Sequence, residues 1–197
     1  MKPSDLSSFN TLSNLVGKGT TLLVQNTRMD FKTNTYISEL WKRSNGQWRS
    51  FKSGNYNFSN PKFGDKENNI FYIKTNRSVQ DKSRSKKTMS TIHKQEGRSI
   101  DAIFEIEGGI SNYLLSGNGK SMYVITSEWN REFKNIEDKN SEPMYYENLP
   151  FRFDTRGIIY NKRAHVYKVN IQNKKFSKIV DGDAKDIISI SSLVEGE

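Results

Sequence analysis

Ser111 is the hydroxyl whose neighbours come nearest to a nucleophile's setting. It lies in Gly109-Ile110-Ser111-Asn112-Tyr113. A nucleophile elbow needs Gly-x-Ser-x-Gly, because small residues must flank a strained strand-to-helix corner. Tyr113 fills the second glycine place, and no helix pattern follows, so Ser111 reads as a strand-edge residue. Gly117-Asn118-Gly119-Lys120-Ser121 looks like the end of a phosphate-binding loop. That loop requires an earlier glycine, where Leu114 stands, and a helix whose N–H groups meet the phosphate. Met122-Tyr123-Val124-Ile125 follows instead, which is strand-like, so the segment reads as a hairpin turn. Gly17-Lys18-Gly19 precedes a strand, whereas a dinucleotide fingerprint follows one.

Metal and redox chemistry fare no better. The chain has no Cys, which removes disulfides, thiolate nucleophiles and Cys-based zinc sites together. Its two histidines, His93 and His165, have no partner at zinc-motif spacing. His165 shares a strand face with Tyr167 and Val169 and reads as a packed or surface strand histidine. His93 lies just past a basic loop and reads as exposed. Asp181, Asp183 and Asp186 hint at calcium, but Asp186 and Ser192 stand where an EF-hand needs Gly and Glu. This cluster reads as turn chemistry. Glu137, Asp138 and Glu142 flank Pro143 as a solvated loop, and no carboxylate pair stands out for acid–base work. No catalytic, cofactor-binding or metal-ligating residue is assigned, and no cofactor is expected.

Charge offers one binding candidate. The net charge is +9, from 31 Lys+Arg against 22 Asp+Glu. The densest basic run is Lys82, Arg84, Lys86 and Lys87, in a Ser-rich stretch that reads as a loop. With Trp41 and Trp48 it could hold single-stranded nucleic acid through phosphate contacts and base stacking. The basic residues are otherwise scattered, and both tryptophans sit in strand-like stretches that suit a sheet core. A solvated basic surface is therefore favoured over a nucleic-acid site. Residues 1–10 lack the apolar core of a signal peptide, and no apolar run approaches a membrane span. A soluble cytoplasmic protein without membrane contact is the expectation.

The elements that would position any site are strands. Candidates are Thr21–Gln25, Tyr36–Lys42, Trp48–Phe51, Ile70–Thr75, Ser99–Ile106, Ser121–Ser127, His165–Asn170, Phe176–Val180 and Ile187–Ser191. Turn-forming clusters separate them, among them Ser44-Asn45-Gly46, Gly64-Asp65-Lys66 and Asp181-Gly182-Asp183. The pattern repeats. Ser59-Asn60-Pro61-Lys62-Phe63-Gly64-Asp65 returns 52 positions later (111 − 59) as Ser111-Asn112-Tyr113-Leu114-Leu115-Ser116-Gly117, each copy followed by an apolar strand. Trp48–Phe51, Ile103–Ile106 and Phe176–Val180 each precede a short polar turn. A third, partial copy opens at Asp181. Four-stranded units at such a period are the mark of propeller blades, which bury their faces by stacking. The expected fold is all-β: a partial β-propeller of about three to four blades of four-stranded antiparallel sheet. It fills residues 1–197 as one domain, with blade-like repeats near 20–75, 99–127 and 164–191 and loops over 76–98 and 128–150.

Leu149-Pro150-Phe151-Arg152-Phe153-Asp154-Thr155-Arg156-Gly157 and Arg163-Ala164-His165-Val166-Tyr167-Lys168-Val169-Asn170 resemble a propeller segment of the prolyl oligopeptidase family, in its acylaminoacyl-peptidase-like branch. Phe63-Gly64-Asp65 and Leu115–Lys120 are similar to degraded copies of that family's Trp-Ser-Pro-Asp-Gly-Lys blade turn, and Glu39-Leu40-Trp41 to its Asp-Leu-Trp strand. The resemblance runs from about Thr20 to Ser191. Family members carry an α/β-hydrolase domain with a Ser-Asp-His triad after the propeller, and nothing here aligns with it. The resemblance thus implies a non-catalytic fragment of the substrate-gating domain, at the third or fourth of about seven blades. It further implies partnership with a hydrolase domain or a homologous peptidase chain, and self-association through exposed blade edges. The alternatives are a basic binding module for nucleic acid or a protein partner, or a non-functional gene relic.

Overall fold

The computed structural model describes residues 9–33, 35–76, 88–129, 152–153, 157–158, 162–185 and 190. Three four-stranded antiparallel sheets account for almost all of them. The first holds β1 (Asn10–Lys18), β2 (Thr21–Asp30), β3 (Thr35–Ser44) and β4 (Gln47–Lys52) in sequence order. The second holds β5 (Tyr56–Phe63), β6 (Asn69–Asn76), β7 (Met89–Glu96) and β8 (Ser99–Glu107), again in sequence order. The third holds β9 (Gly109–Leu115), β10 (Ser121–Trp129), β13 (Lys162–Asn170) and β14 (Phe176–Val180), with the short pair β11 (Arg152–Phe153) and β12 (Gly157–Ile158) lying between β10 and β13 in the chain. One helical turn, α1 (Gly182–Lys185), follows. No helix among the described residues is long and apolar enough to cross a membrane.

Local chemistry explains the meanders. Asn45 and Gly46 both take positive φ, 51° and 79°, between β3 and β4. A two-residue hairpin of this type matches the right-handed twist of its strands, and Asn-Gly is the pair that tolerates it. Between β9 and β10, Ser116 closes the turn. Its N–H donates to the Ser121 carbonyl at 3.0 Å, and its hydroxyl lies 2.9 Å from that carbonyl and 2.8 Å from Asn118 Oδ1, donating to one of the two at a time. The expected hairpin at Gly117–Ser121 is therefore what forms, and it precedes a strand.

The repeat reaches down to individual irregularities. In the last strand of every sheet one residue is extra to the ladder: Phe51 in β4, Ile103 in β8 and Ile179 in β14. The first strand of the first two sheets is also bulged, at Asn14 (φ 52°) and Asn60 (φ 48°), and the ladder between β9 and β10 shifts at Ser111. A bulge bends and twists a strand locally, so shared bulge positions give the three sheets a shared curvature.

The sheet boundaries differ from the sequence expectation. The expected loop over 76–98 contains β7, and the expected unit 20–75 covers three strands of the first sheet and half of the second. β1, β5, β7 and β9 fall outside the strand candidates. β1 reads Asn-Thr-Leu-Ser-Asn-Leu-Val-Gly-Lys, with no alternation. β5 carries Asn60-Pro61 inside it, a combination confined to edges and bulges, and β5 is both. The expected strand Ile187–Ser191 and most of the loop 128–150 lie outside the described residues.

By contact density the chain divides into two units. The first comprises the first two sheets, and its core lies between them: Leu23 and Leu40 of the first sheet meet Phe58, Ile70 and Tyr72 of the second, with Val16, Phe51 and Phe63 packed around. Polar stitches cross the same face, where Asn57 Oδ1 accepts from the Ser38 N–H at 3.1 Å and Gln25 Oε1 accepts from the Asn60 N–H at 3.3 Å. In the second unit Tyr113, Met122, Val124, Ile125, Val166 and Val169 are among the buried residues of the third sheet.

Candidate functional site

Two groups of polar side chains are held firmly enough to be considered as sites. One is at the end of the third sheet. His165, on β13, is 1% exposed. Its Nδ1 lies 3.1 Å from the Gly182 N–H and 3.2 Å from Asp181 Oδ1. A bare Nδ1 accepts from Gly182, and a protonated one donates to Asp181, so one nitrogen satisfies one of the two at a time. Lys178 Nζ stands 3.6 Å from the same carboxylate oxygen, and the Asp183 N–H donates to it at 3.2 Å. Partial burial raises the affinity of Asp181 for a proton, but the Asp183 N–H and the Lys178 ammonium outweigh it and hold the carboxyl below its ordinary range. On the same face Tyr167 donates to Glu128 Oε1 at 3.0 Å, and Thr126 donates to that oxygen at 2.7 Å. Burial, and next the Glu128 charge, push the Tyr167 hydroxyl far above its ordinary range.

His165, Asp181 and Asp183 place ligand atoms within 4.8 Å of one another. Their present bonds favour a structural corner over a metal seat. The Gly182 N–H occupies Nδ1, and Lys178 already neutralises Asp181. A cation would have to displace both. The expected turn at Asp181–Asp183 and His165, packed rather than on the surface, are thus one feature, which ties the end of β14 to β13.

The second group lies in the first unit, around Tyr72 of β6. The His93 ring stacks on Tyr72 at 5.6 Å between centroids and 17° between planes. Phe51 and Phe58 meet Tyr72 edge-on at 6.2 and 6.0 Å. Lys52 Nζ lies 5.2 Å from the Tyr72 centroid and 5.3 Å from that of Phe51, Lys42 Nζ lies 6.0 Å from Phe51, and Lys74 Nζ sits 3.8 Å over Tyr56. Such cation–ring contacts hold an ammonium in place without neutralising it. Among the described residues the carboxylate that acts on His93 is Glu105 of β8, which accepts from Thr91 Oγ1 at 3.0 Å. Burial, and then the charges of Lys74 and Lys52, depress His93 below its ordinary pKa of 6.5. Burial likewise lowers Lys52. His93 Nδ1 is buried and has no hydrogen-bond partner among the described residues.

His93 is therefore not the exposed residue its place after a basic loop suggested. It alternates into β7 opposite Tyr72, and the pairing of β6 with β7 buries it. Trp48, expected in a sheet core, is 43% exposed on the edge strand β4, while Trp41 is half-buried with its Nε1 enclosed. Ser111 lies on edge strand β9, and its hydroxyl donates to the Ile125 carbonyl at 3.3 Å. Lys82, Arg84, Lys86 and Lys87 lie outside the described residues. The lysine–aromatic group is not legible in the sequence because its members come from five strands. Its only signal was the alternation Tyr72-x-Lys74 on β6.

The pH dependence of stability follows from the His93 shift. The unfolded chain takes up a proton near pH 6.5, where the folded state still resists it. Stability present above 6.5 is then lost as pH falls toward the lower folded-state value. Replacing His93 with Gln should flatten the urea midpoint between about pH 7.5 and about pH 5.5 relative to the wild type. Parallel curves for the two proteins would show that His93 does not titrate differently on folding.

The fold and these groups define an all-β array of propeller-type blades, a partial β-propeller in which each blade is a four-stranded meander. No protein-family model matches the sequence. No curated protein sequence matches it either. Among solved structures, the chain is similar to an acylaminoacyl peptidase from Pyrococcus horikoshii in its orthorhombic crystal form, with TM-score 0.64 and 12% identity over 89% of this chain. It is similar, with TM-score 0.61 and 11% identity over 87% of the chain, to an acylaminoacyl peptidase in complex with Z-Gly-Gly-Phe-chloromethyl ketone. The β-propeller domain of the Trilobed protease from Pyrococcus furiosus matches with TM-score 0.45 and 16% identity. The chain spans 26% and 25% of the two peptidase chains. At these identities the likeness is one of fold.

Proposed function

We propose that this chain is a non-catalytic propeller module that restricts access of peptides to a serine-hydrolase centre carried elsewhere, in a longer polypeptide or in a separate chain. The observation that carries the reading is the asymmetry of coverage: 89% of this chain matches, but only 26% of the peptidase. The sequence has no Gly-x-Ser-x-Gly, and Ser111 lies on an edge strand rather than at a strand-to-helix corner. Phe9, Leu12 and Leu15 expose 56%, 67% and 64% of their surface on or beside edge strand β1. In the working assembly this edge is covered by a further blade, a hydrolase domain or a second copy, because an open edge with apolar side chains invites pairing. The setting is the cytoplasm.

Two measurements on the same material test the reading. The transcript is sequenced past the codon for Glu197, and residues 1–197 and the endogenous polypeptide are each treated with a fluorophosphonate probe of serine hydrolases. The expected result is further blades and a hydrolase domain in the transcript, or a co-purifying hydrolase, with labelling there and none on residues 1–197. Labelling of residues 1–197 alone would overturn the proposal.

A further inference from the structure

The lysine–aromatic group in the first unit has the features of a ligand site that the gating reading neither uses nor requires. Lys52 of β4 and His93 of β7 meet at the Tyr72 ring, 5.2 and 5.6 Å from its centroid, and Lys74 lies two residues along β6 from Tyr72. Among the described residues neither lysine is ion-paired with a carboxylate. Their contacts are with ring faces, Phe51 and Tyr72 for Lys52 and Tyr56 for Lys74. The neighbouring acids are engaged elsewhere: Glu105 accepts from Thr91, and Glu67, which faces Lys42, accepts from the Thr20 N–H at 3.2 Å. The rings fix where the ammonium groups sit, and among the described residues the buried Nδ1 of His93 has no hydrogen-bond partner. Folding has therefore gathered positive charge on a rigid aromatic floor, against the cost of desolvating it, without supplying the counter-charge.

We propose that the surface formed by Lys52, Lys74 and His93 around the Tyr72 and Phe51 rings binds a phosphate-class dianion. Two ammonium groups match a charge of two, and charge-assisted hydrogen bonds to an oxyanion are the strong ones. Lysine suits this role as a point charge, with three donors that turn to meet oxygen. The bound dianion supplies the missing counter-charge and favours the protonated imidazole, so His93 reports its arrival. Around His93 the groups that titrate are Tyr72 and Lys74 on β6, Lys52 on β4 and Glu105 on β8. Of these, Lys52 and Lys74 change their electrostatic surroundings most when an anion binds.

The test uses the whole chain and inorganic phosphate. The chain has two histidines, so the His93 ring resonances are readily assigned by comparison with the His93→Gln protein. Wild type is titrated with phosphate, and separately with sodium chloride at matched ionic strength. The expected result is a saturable shift of the His93 ring signals with phosphate alone, and a His93 pKa higher in phosphate than in chloride. Lys52→Gln and Lys74→Gln should each weaken the apparent affinity about tenfold or more. A chloride titration that reproduces the shift, or two folded variants that bind phosphate as the wild type does, would overturn it. Should a variant fail to fold, the wild-type comparison of the two salts still decides. The outcome is independent of whether a hydrolase domain is found.

Discussion

Tyr72→Ala should cost about 3–5 kcal/mol of stability and uncouple the first two sheets. Tyr72 is 2% exposed and is the residue on which the first unit converges. Phe51 of the first sheet and Phe58 of the second meet it edge-on, and His93 stacks on it. Each such ring pair contributes about 0.5–1.5 kcal/mol beyond the area it buries, and removal of the ring also leaves a cavity that rigid strands cannot close. Tyr72→Phe keeps the ring and should cost less than about 1 kcal/mol. Burial raises the Tyr72 hydroxyl pKa to about 12, so the wild-type hydroxyl is neutral at the pH of the measurement. Urea unfolding followed by tryptophan fluorescence reads both variants, since Trp41 and Trp48 lie in the first sheet and Trp129 lies in the third. A Tyr72→Ala midpoint equal to that of wild type would mean that the first two sheets do not share this core.

The second large effect is expected at Gly108. It is the single residue between β8 and β9, and its φ of 130° is one that L side chains rarely adopt. A Cβ there would stand 2.7 Å from the Ser127 carbonyl oxygen, which is backbone and cannot swing aside. Gly108→Ala should cost about 2–3 kcal/mol and loosen the start of the third sheet, where β9 pairs with β10. Gly97→Ala is the control. Its φ of 61° also favours glycine, but nothing lies within 4 Å of the added methyl, so only the left-handed backbone penalty of about 1–2 kcal/mol applies. Equal losses in the two variants, measured by thermal unfolding, would show that the close approach to Ser127 is relieved at no cost.

Much of the architecture is legible in the sequence alone. Eight of the nine candidate strands correspond to observed strands, because β-branched and aromatic residues at period two leave little choice of local structure. The shift of 52 residues between copies recurs as the spacing between Phe51 and Ile103 (103 − 51), the extra residues of β4 and β8. The missed strands had no such signal. β1 and β5 are edge strands carrying Asn at positive φ, and what makes them strands is the neighbour they pair with. β7 follows a Ser- and Lys-rich run that hid its beginning, and β9 starts at a glycine.

The sites divide along the same line. The sequence by itself determined that the fold is all-β and repeated, that cysteine chemistry is absent, and that no nucleophile elbow, phosphate loop or zinc motif is present. These conclusions need only residue types at short spacing. Only the tertiary structure decided that His93 is half-buried against Tyr72, and that His165 is bound at the corner of Asp181 and Gly182. It also gathered Lys52, Lys74 and His93 from three strands onto one aromatic floor. The physical reason is range. Turns and strand propensity act over a few residues, whereas a binding surface depends on register across strands and on the loss of water where sheets meet, and both are fixed only when distant segments pack.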